Sequence, residues 1–201
     1  MTDETAELST KVFNWVDERH WDLVKDAVSR CPDVAIPTEE RDHSLLYLVG
    51  SIGSSPVDAV RLLAKAYPEA ITMTNTKYGD TPLHAVCRHS QTSSSRVQAL
   101  LELVPLDAHE AMLHRNHFSG TVLHAAVCHN ATISALEALI ATNPKLIHIK
   151  TREQGTHALS ALWFAYMQTI QGHMIIAQSL KTKAVPEAGH FARFWAKCAL
   201  L

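Results

Sequence analysis

Apolar residues recur along this chain at helical intervals, in bursts of similar length separated by polar breaks. Val60, Leu63 and Ala64 form one such set, Val97, Leu100, Leu101 and Val104 a second, and Leu136, Leu139 and Ile140 a third. The i, i+3, i+4 spacing puts each set on one face of an amphipathic helix. Proline stops follow at Pro32, Pro68 and Pro144, in Cys-Pro-Asp-Val, Tyr-Pro-Glu-Ala and Asn-Pro-Lys-Leu, and Pro105 ends the remaining stripe. Proline just past a helix cannot continue it. Polar stretches follow, as in Thr74-Asn75-Thr76-Lys77-Tyr78-Gly79-Asp80. Each unit therefore reads helix, turn, helix, extended loop.

The helix starts carry a second, independent period. Thr81-Pro82-Leu83-His84-Ala85-Val86 is answered by Thr121-Val122-Leu123-His124-Ala125-Ala126. A threonine hydroxyl at the N-cap accepts a backbone N–H of the first turn. Pro82 falls at the first helical position, where its missing N–H costs nothing. His84 and His124 sit three residues after the cap, where a capping-box side chain reaches back. Fainter copies stand at Ser44-Leu45-Leu46-Tyr47 and Ser160-Ala161-Leu162-Trp163. From Ser44 through Thr81 and Thr121 to Ser160 the intervals are 37, 40 and 39 residues, by subtraction. A period of tens of residues marks a stacked repeat protein.

These phrases resemble the ankyrin repeat family, whose signature is T-P-L-H-x-A. The resemblance covers roughly residues 13–180 and is sharpest at Thr81 to Ala85 with Gly79 and at Thr121 to Ala125 with Gly120. It implies an all-α helical solenoid that binds a partner protein on its concave loop and helix surface. The chain departs from the family in two ways. Its units are longer than the family's ~33 residues, and Gly120 directly precedes its threonine whereas Gly79 stands two before.

The expected organisation is a disordered terminus at 1–10 and a capping helix pair over 11–43, with helices at 12–18 and 21–29. Repeats follow at 44–80, 81–120, 121–159 and 160–180, then a capping helix at 181–201. Composition fits: 201 residues, 47% hydrophobic and only 6% aromatic, suit short stacked helices in one domain. Charge changes the picture only at the ends. Residues 1–40 carry 4 basic and 10 acidic side chains, and residues 161–201 carry 4 and 1. That polarity suits solvated caps, and it would also steer a head-to-tail encounter.

No concentrated basic face suggests nucleic-acid binding, no signal-peptide pattern opens the chain, and no apolar run is long enough for a membrane span. Scattered Cys31, Cys87, Cys128 and Cys198 suggest a reduced intracellular, cytoplasmic protein. Cys87 and Cys128 are expected at matching core positions of successive repeats. The 13 histidines do not make a metal site. His109 and His114, like His84/His89 and His124/His129, are five apart, which turns them ~100° beyond the i, i+4 pairing of a zinc motif. Gly50-Ser51-Ile52-Gly53 lacks the lysine of a phosphate loop. The chain therefore reads as a non-enzyme without cofactor, a monomeric binding module, or alternatively a structural spacer or oligomerising fragment of a larger protein. In the family reading, partner contacts fall on the loop tips: Lys77 and Tyr78; Arg115, Asn116, His117 and Phe118; and Lys150 and Arg152. Tyr78 and Phe118 stand out, because an aromatic ring in a polar loop either folds back on its neighbour or meets a partner.

Overall fold

A computed structural model of the chain describes residues 3–37, 41–88, 94–104, 106–151 and 196–200. The expected repeat at 160–180, the start at Ser160, the stop at Pro105 and all but the end of the expected cap at 181–201 lie outside the described residues. The described residues are helical, with α1 (Asp3–Asp17), α2 (Trp21–Arg30), α3 (Leu45–Ser51), α4 (Val57–Ala66), α5 (Pro82–Cys87), α6 (Ser94–Leu101), α7 (Val122–Cys128) and α8 (Ile133–Thr142). Among them there is no strand, and no helix is long and apolar enough to cross a membrane.

Caps decide where the helices begin. Ser44 Oγ accepts the Tyr47 N–H at 3.1 Å to open α3. At α5, His84 N–H points to Thr81 Oγ1 at 3.4 Å, and Thr81 N–H reaches His84 Nδ1 at 3.3 Å. Thr121 N–H meets His124 Nδ1 at 3.3 Å at the start of α7. Thr132 opens α8 in the same manner, accepting the Ala135 N–H at 3.3 Å.

The proline stops are equally regular. Cys31, Tyr67 and Asn143, each preceding a proline, adopt φ/ψ of −138/85, −140/84 and −143/92. Proline's ring excludes the helical region for the residue before it. Each of the three still donates to the carbonyl four back, in Ala27, Leu63 and Leu139. The chain then makes one tight 3-10 turn, at Pro32–Ala35, Pro68–Ile71 and Pro144–His148. After α6 the corresponding turn, Leu106–Leu113, is eight residues long. Much of the extra length of that unit is there, after its second helix.

Successive helices pair (α1 with α2, α3 with α4, α5 with α6, α7 with α8), and like helices follow one another: α3 on α5 on α7, and α2 on α4 on α6 on α8. A single apolar core runs between them, from Val12, Phe13 and Val16 through Leu45, Val60 and Leu100 to Leu136, Leu139 and Leu146. At Gly50 the helices come so near that a Cβ would lie 3.2 Å from both the Pro82 carbonyl oxygen and the Val86 side chain. Exposed ion pairs such as Lys25–Asp58 (3.0 Å) join neighbouring units, and pairs in water contribute little each.

Two expectations are corrected. The N-terminal segment is helical from Asp3, not disordered to residue 10. The polar stretch hides an inward stripe: Leu8 packs on the core, and buried Ser9 donates to the Val34 carbonyl at 3.2 Å. Cys87 and Cys128 do not occupy matching positions. Cys87 is fully buried, with its thiol pushed up to about 12 by burial, whereas Cys128 is exposed. Counting from the N-cap, buried Val127 matches Cys87, and Cys128 falls one residue on, outside the core.

Candidate binding surface

The loops before α5 and α7 are built alike. In the first, Asn75 closes the turn: its N–H donates to the Asp80 carbonyl, and its Oδ1 accepts the Asp80 N–H, both at 2.9 Å. In the second, Asn116 N–H donates to the Gly120 carbonyl at 3.0 Å, and its Oδ1 accepts the N–H groups of Phe118 and Gly120 at 3.0 and 3.1 Å. Asparagine suits the place, because its short amide stands in for a backbone turn.

Neighbouring loops are laced together. Thr76 N–H donates to the Asp42 carbonyl at 2.9 Å, and His117 N–H to the Tyr78 carbonyl at 2.8 Å. His114 Nε2 donates to the Gly79 carbonyl at 2.9 Å. Asn116 Nδ2 donates to Asp80 Oδ1 at 2.8 Å, and His84 Nε2 reaches the Gly120 carbonyl at 3.4 Å. For the buried donors among these, Asn116 and His84, a missing partner would be costly. The loop tips are thus tied to one another and, through His84, to α5.

On this base stands an aromatic and cationic cluster. The Tyr78 and Phe118 rings stack with centroids 6.2 Å apart and planes 29° from parallel. The Arg88 guanidinium lies 5.4 Å from the Tyr78 centroid and 5.6 Å from that of Phe118, within cation–π range of both. Its Nε stands 2.7 Å from Oδ2 of Asp80, whose side chain is wholly buried. Lys77 Nζ lies 5.0 Å from the Tyr78 centroid, and its pKa is raised chiefly by the Tyr78 hydroxyl. Tyr47, half-buried on α3, has its hydroxyl pushed up to about 12, first by burial and then by the Asp80 charge, so it stays neutral. Phe118 remains 64% exposed despite its stacking partner, which is unusual for so large an apolar ring.

The sequence-named residues divide. Lys77, Tyr78, His117 and Phe118 come together. Asn116 is buried and spends its amide inside the loop, so it supports the surface without forming it. Arg115 is half-buried and Lys150 exposed, and neither makes a hydrogen bond, ion pair or ring contact with the cluster among the described residues. Arg152 lies outside the described residues. Sequence reasoning missed Arg88 and Asp80. The available signal was the interval of seven residues from Thr81 to Arg88, two helical turns, which returns a side chain to the face of the cap. Long side chains on a helix lean toward its N-terminus, as Arg88 does toward Asp80.

Among the described residues no group of three or more histidine, cysteine or acidic side chains is placed to hold a metal ion. In comparisons with known proteins, the chain matches no protein-family model and no curated protein.

Proposed function

We propose that the chain is an ankyrin-type helical solenoid that works as a protein-binding module, with its loop edge as the recognition surface. One observation carries the reading: Phe118, a large apolar ring 64% exposed, is stacked on Tyr78 beside Arg88 on loops that hydrogen bonds tie to one another. A rigid, preorganised aromatic loses little entropy on binding, and Tyr and Arg are the residues that dominate interface energetics. The repeated caps, proline stops and like-on-like helix packing support the solenoid part of the reading.

The test is a pull-down from cell lysate, wild type beside a Lys77→Ala/Phe118→Ala variant whose helical circular dichroism is unchanged. A protein held by wild type and lost by the variant is the expected result. Equal retention by both would refute this surface as the binding face.

A further inference from the structure

The loops ahead of α5 and α7, and the segment after Pro144–His148, share a charge pattern. Residues 74–79 carry Lys77, residues 114–119 carry Arg115, His114 and His117, and residues 147–151 carry Lys150 and His148, with no acidic side chain in any of these stretches. Of the two carboxylates near the cluster, Asp80 is fully buried and faces Arg88 and Asn116, so its charge is not presented outward, while half-exposed Asp42 lies on the Lys77 side and is bonded to His43. The Arg88 side chain is 29% exposed; its Nε is buried 2.7 Å from Asp80 Oδ2, and the Tyr78 and Phe118 rings lie beside the guanidinium. Lys77 and His117 are exposed around the rings. The edge therefore offers an apolar platform, Phe118, with the cations Arg88 and Lys77 at the stacked rings.

We propose that the occupant of this edge is an extended acidic peptide segment that sets one aromatic or large aliphatic side chain on Phe118 and its carboxylates on Lys77, Arg88 and Arg115. The inference rests on the binding-module reading and names the chemistry of the partner. Packed helices lie ~8–10 Å apart, so successive loop tips are separated by a similar step. An extended chain rises ~3.3 Å per residue, so carboxylates about three residues apart match the cations of neighbouring loops. Such complementarity acts on encounter rate and selectivity and weakens with salt.

The probe is a fluorescein-labelled peptide with glutamates three residues apart flanking a single phenylalanine. Its binding to the full chain is read by fluorescence polarisation. Two control peptides replace the glutamates by lysine or the phenylalanine by alanine. The expected results are saturable binding of the acidic peptide and at least about tenfold weaker binding of both controls. The Lys77→Glu/Arg115→Glu variant and the Phe118→Ala variant, each folded by circular dichroism, lose about as much. Binding also weakens from about 0.05 to about 0.5 M salt.

Binding of the lysine peptide as tight as that of the acidic one, absence of acidic-peptide binding to wild type, or indifference to salt would each overturn the proposal. So would concentration-dependent self-association that the peptide reverses, which would make a second copy of the chain the occupant. If the lysate partner is lost by the variant but not displaced by the acidic peptide, the module stands and the acidic occupant falls. If the variant keeps the partner, both fall.

Discussion

Two residues with positive φ sit at the same place in successive loops. Gly79 has φ 65° and Ser119 has φ 60°, and each stands two positions before its capping threonine. In the sequence the glycines look misaligned, Gly79 two before Thr81 and Gly120 one before Thr121. The backbone shows that the constant feature is the left-handed turn, filled by glycine in one loop and serine in the other. Gly120 corresponds instead to Asp80, since both donate their N–H to the asparagine amide. An L-residue in this region costs ~1–2 kcal/mol. At Gly79 a Cβ would also lie 2.6 Å from the His117 ring. Gly79→Ala is expected to lower stability by about 2–3 kcal/mol, the backbone cost plus the contact. Adding His117→Ala should return only the contact part, and full recovery in urea unfolding would show the backbone cost to be absent. Ser119→Gly, which relieves the same strain, is expected to raise the unfolding midpoint by up to about 1 kcal/mol equivalent, the rest being lost to chain entropy. A lower midpoint would contradict it.

The elements were largely legible because their signals are local. Ser44, Thr81 and Thr121 open helices through bonds that span three residues, and Pro32, Pro68 and Pro144 stop them by steric exclusion of the residue before. What escaped depends on contacts distant in sequence. Helix α1 joins the core through contacts that its local pattern does not show: Ser9 donates to the Val34 carbonyl, 25 residues on, and Leu8 packs beside it against the core. Arg96 is the clearest case. On the sequence it is a polar residue beside the Val97 stripe, yet in the structure it is 2% exposed and linked to the turn between α3 and α4. Its Nη1 donates to the Ile52 carbonyl at 2.8 Å and to Ser55 Oγ at 3.2 Å, while buried Nη2 has no hydrogen-bond partner among the described residues. Burial lowers its pKa. A desolvated cation that is only partly satisfied contributes less than its bonds suggest, because an apolar side chain of similar length keeps the packing without the desolvation cost. Arg96→Ala, which leaves both a void and unpaired oxygens, should cost about 3 kcal/mol. Arg96→Met should cost about 1 kcal/mol or less. Equal losses in urea unfolding would mean that the hydrogen bonds, and not the packing, hold the two units at this point.

At the scale of the whole molecule, acid is expected to loosen the packing of the helices through His84. This side chain is wholly buried, takes the Thr81 N–H on Nδ1 and reaches the Gly120 carbonyl of the next loop through Nε2. One nitrogen accepts and the other donates, which is the pattern of a neutral ring. Its pKa is lowered to about 4, first by burial, with the Asp80 charge and the Gly120 carbonyl opposing and the His114 and Arg88 charges adding to the decrease. In the unfolded chain the ring titrates near ~6.5. Above that pH neither state holds the proton, and the capped, bridged form contributes its full stability. As pH falls from about 6.5 toward 4 the unfolded chain takes up a proton that the folded chain refuses, so stability declines by up to about 1.4 kcal/mol per pH unit from this residue. Glutamine at the same capping position can reach back to the N-cap without titrating. His84→Gln is therefore expected to be less stable than wild type at pH 7 and to lose less on going to pH 5. The measurement is the urea midpoint of both proteins at the two pH values. A loss between pH 7 and 5 as large in the variant as in wild type would assign the acid sensitivity to other histidines and remove His84 from this role. The expected narrowing of the gap would mean that one capping residue, placed where two successive loops meet, links the protonation of a helix start to the cohesion of neighbouring units.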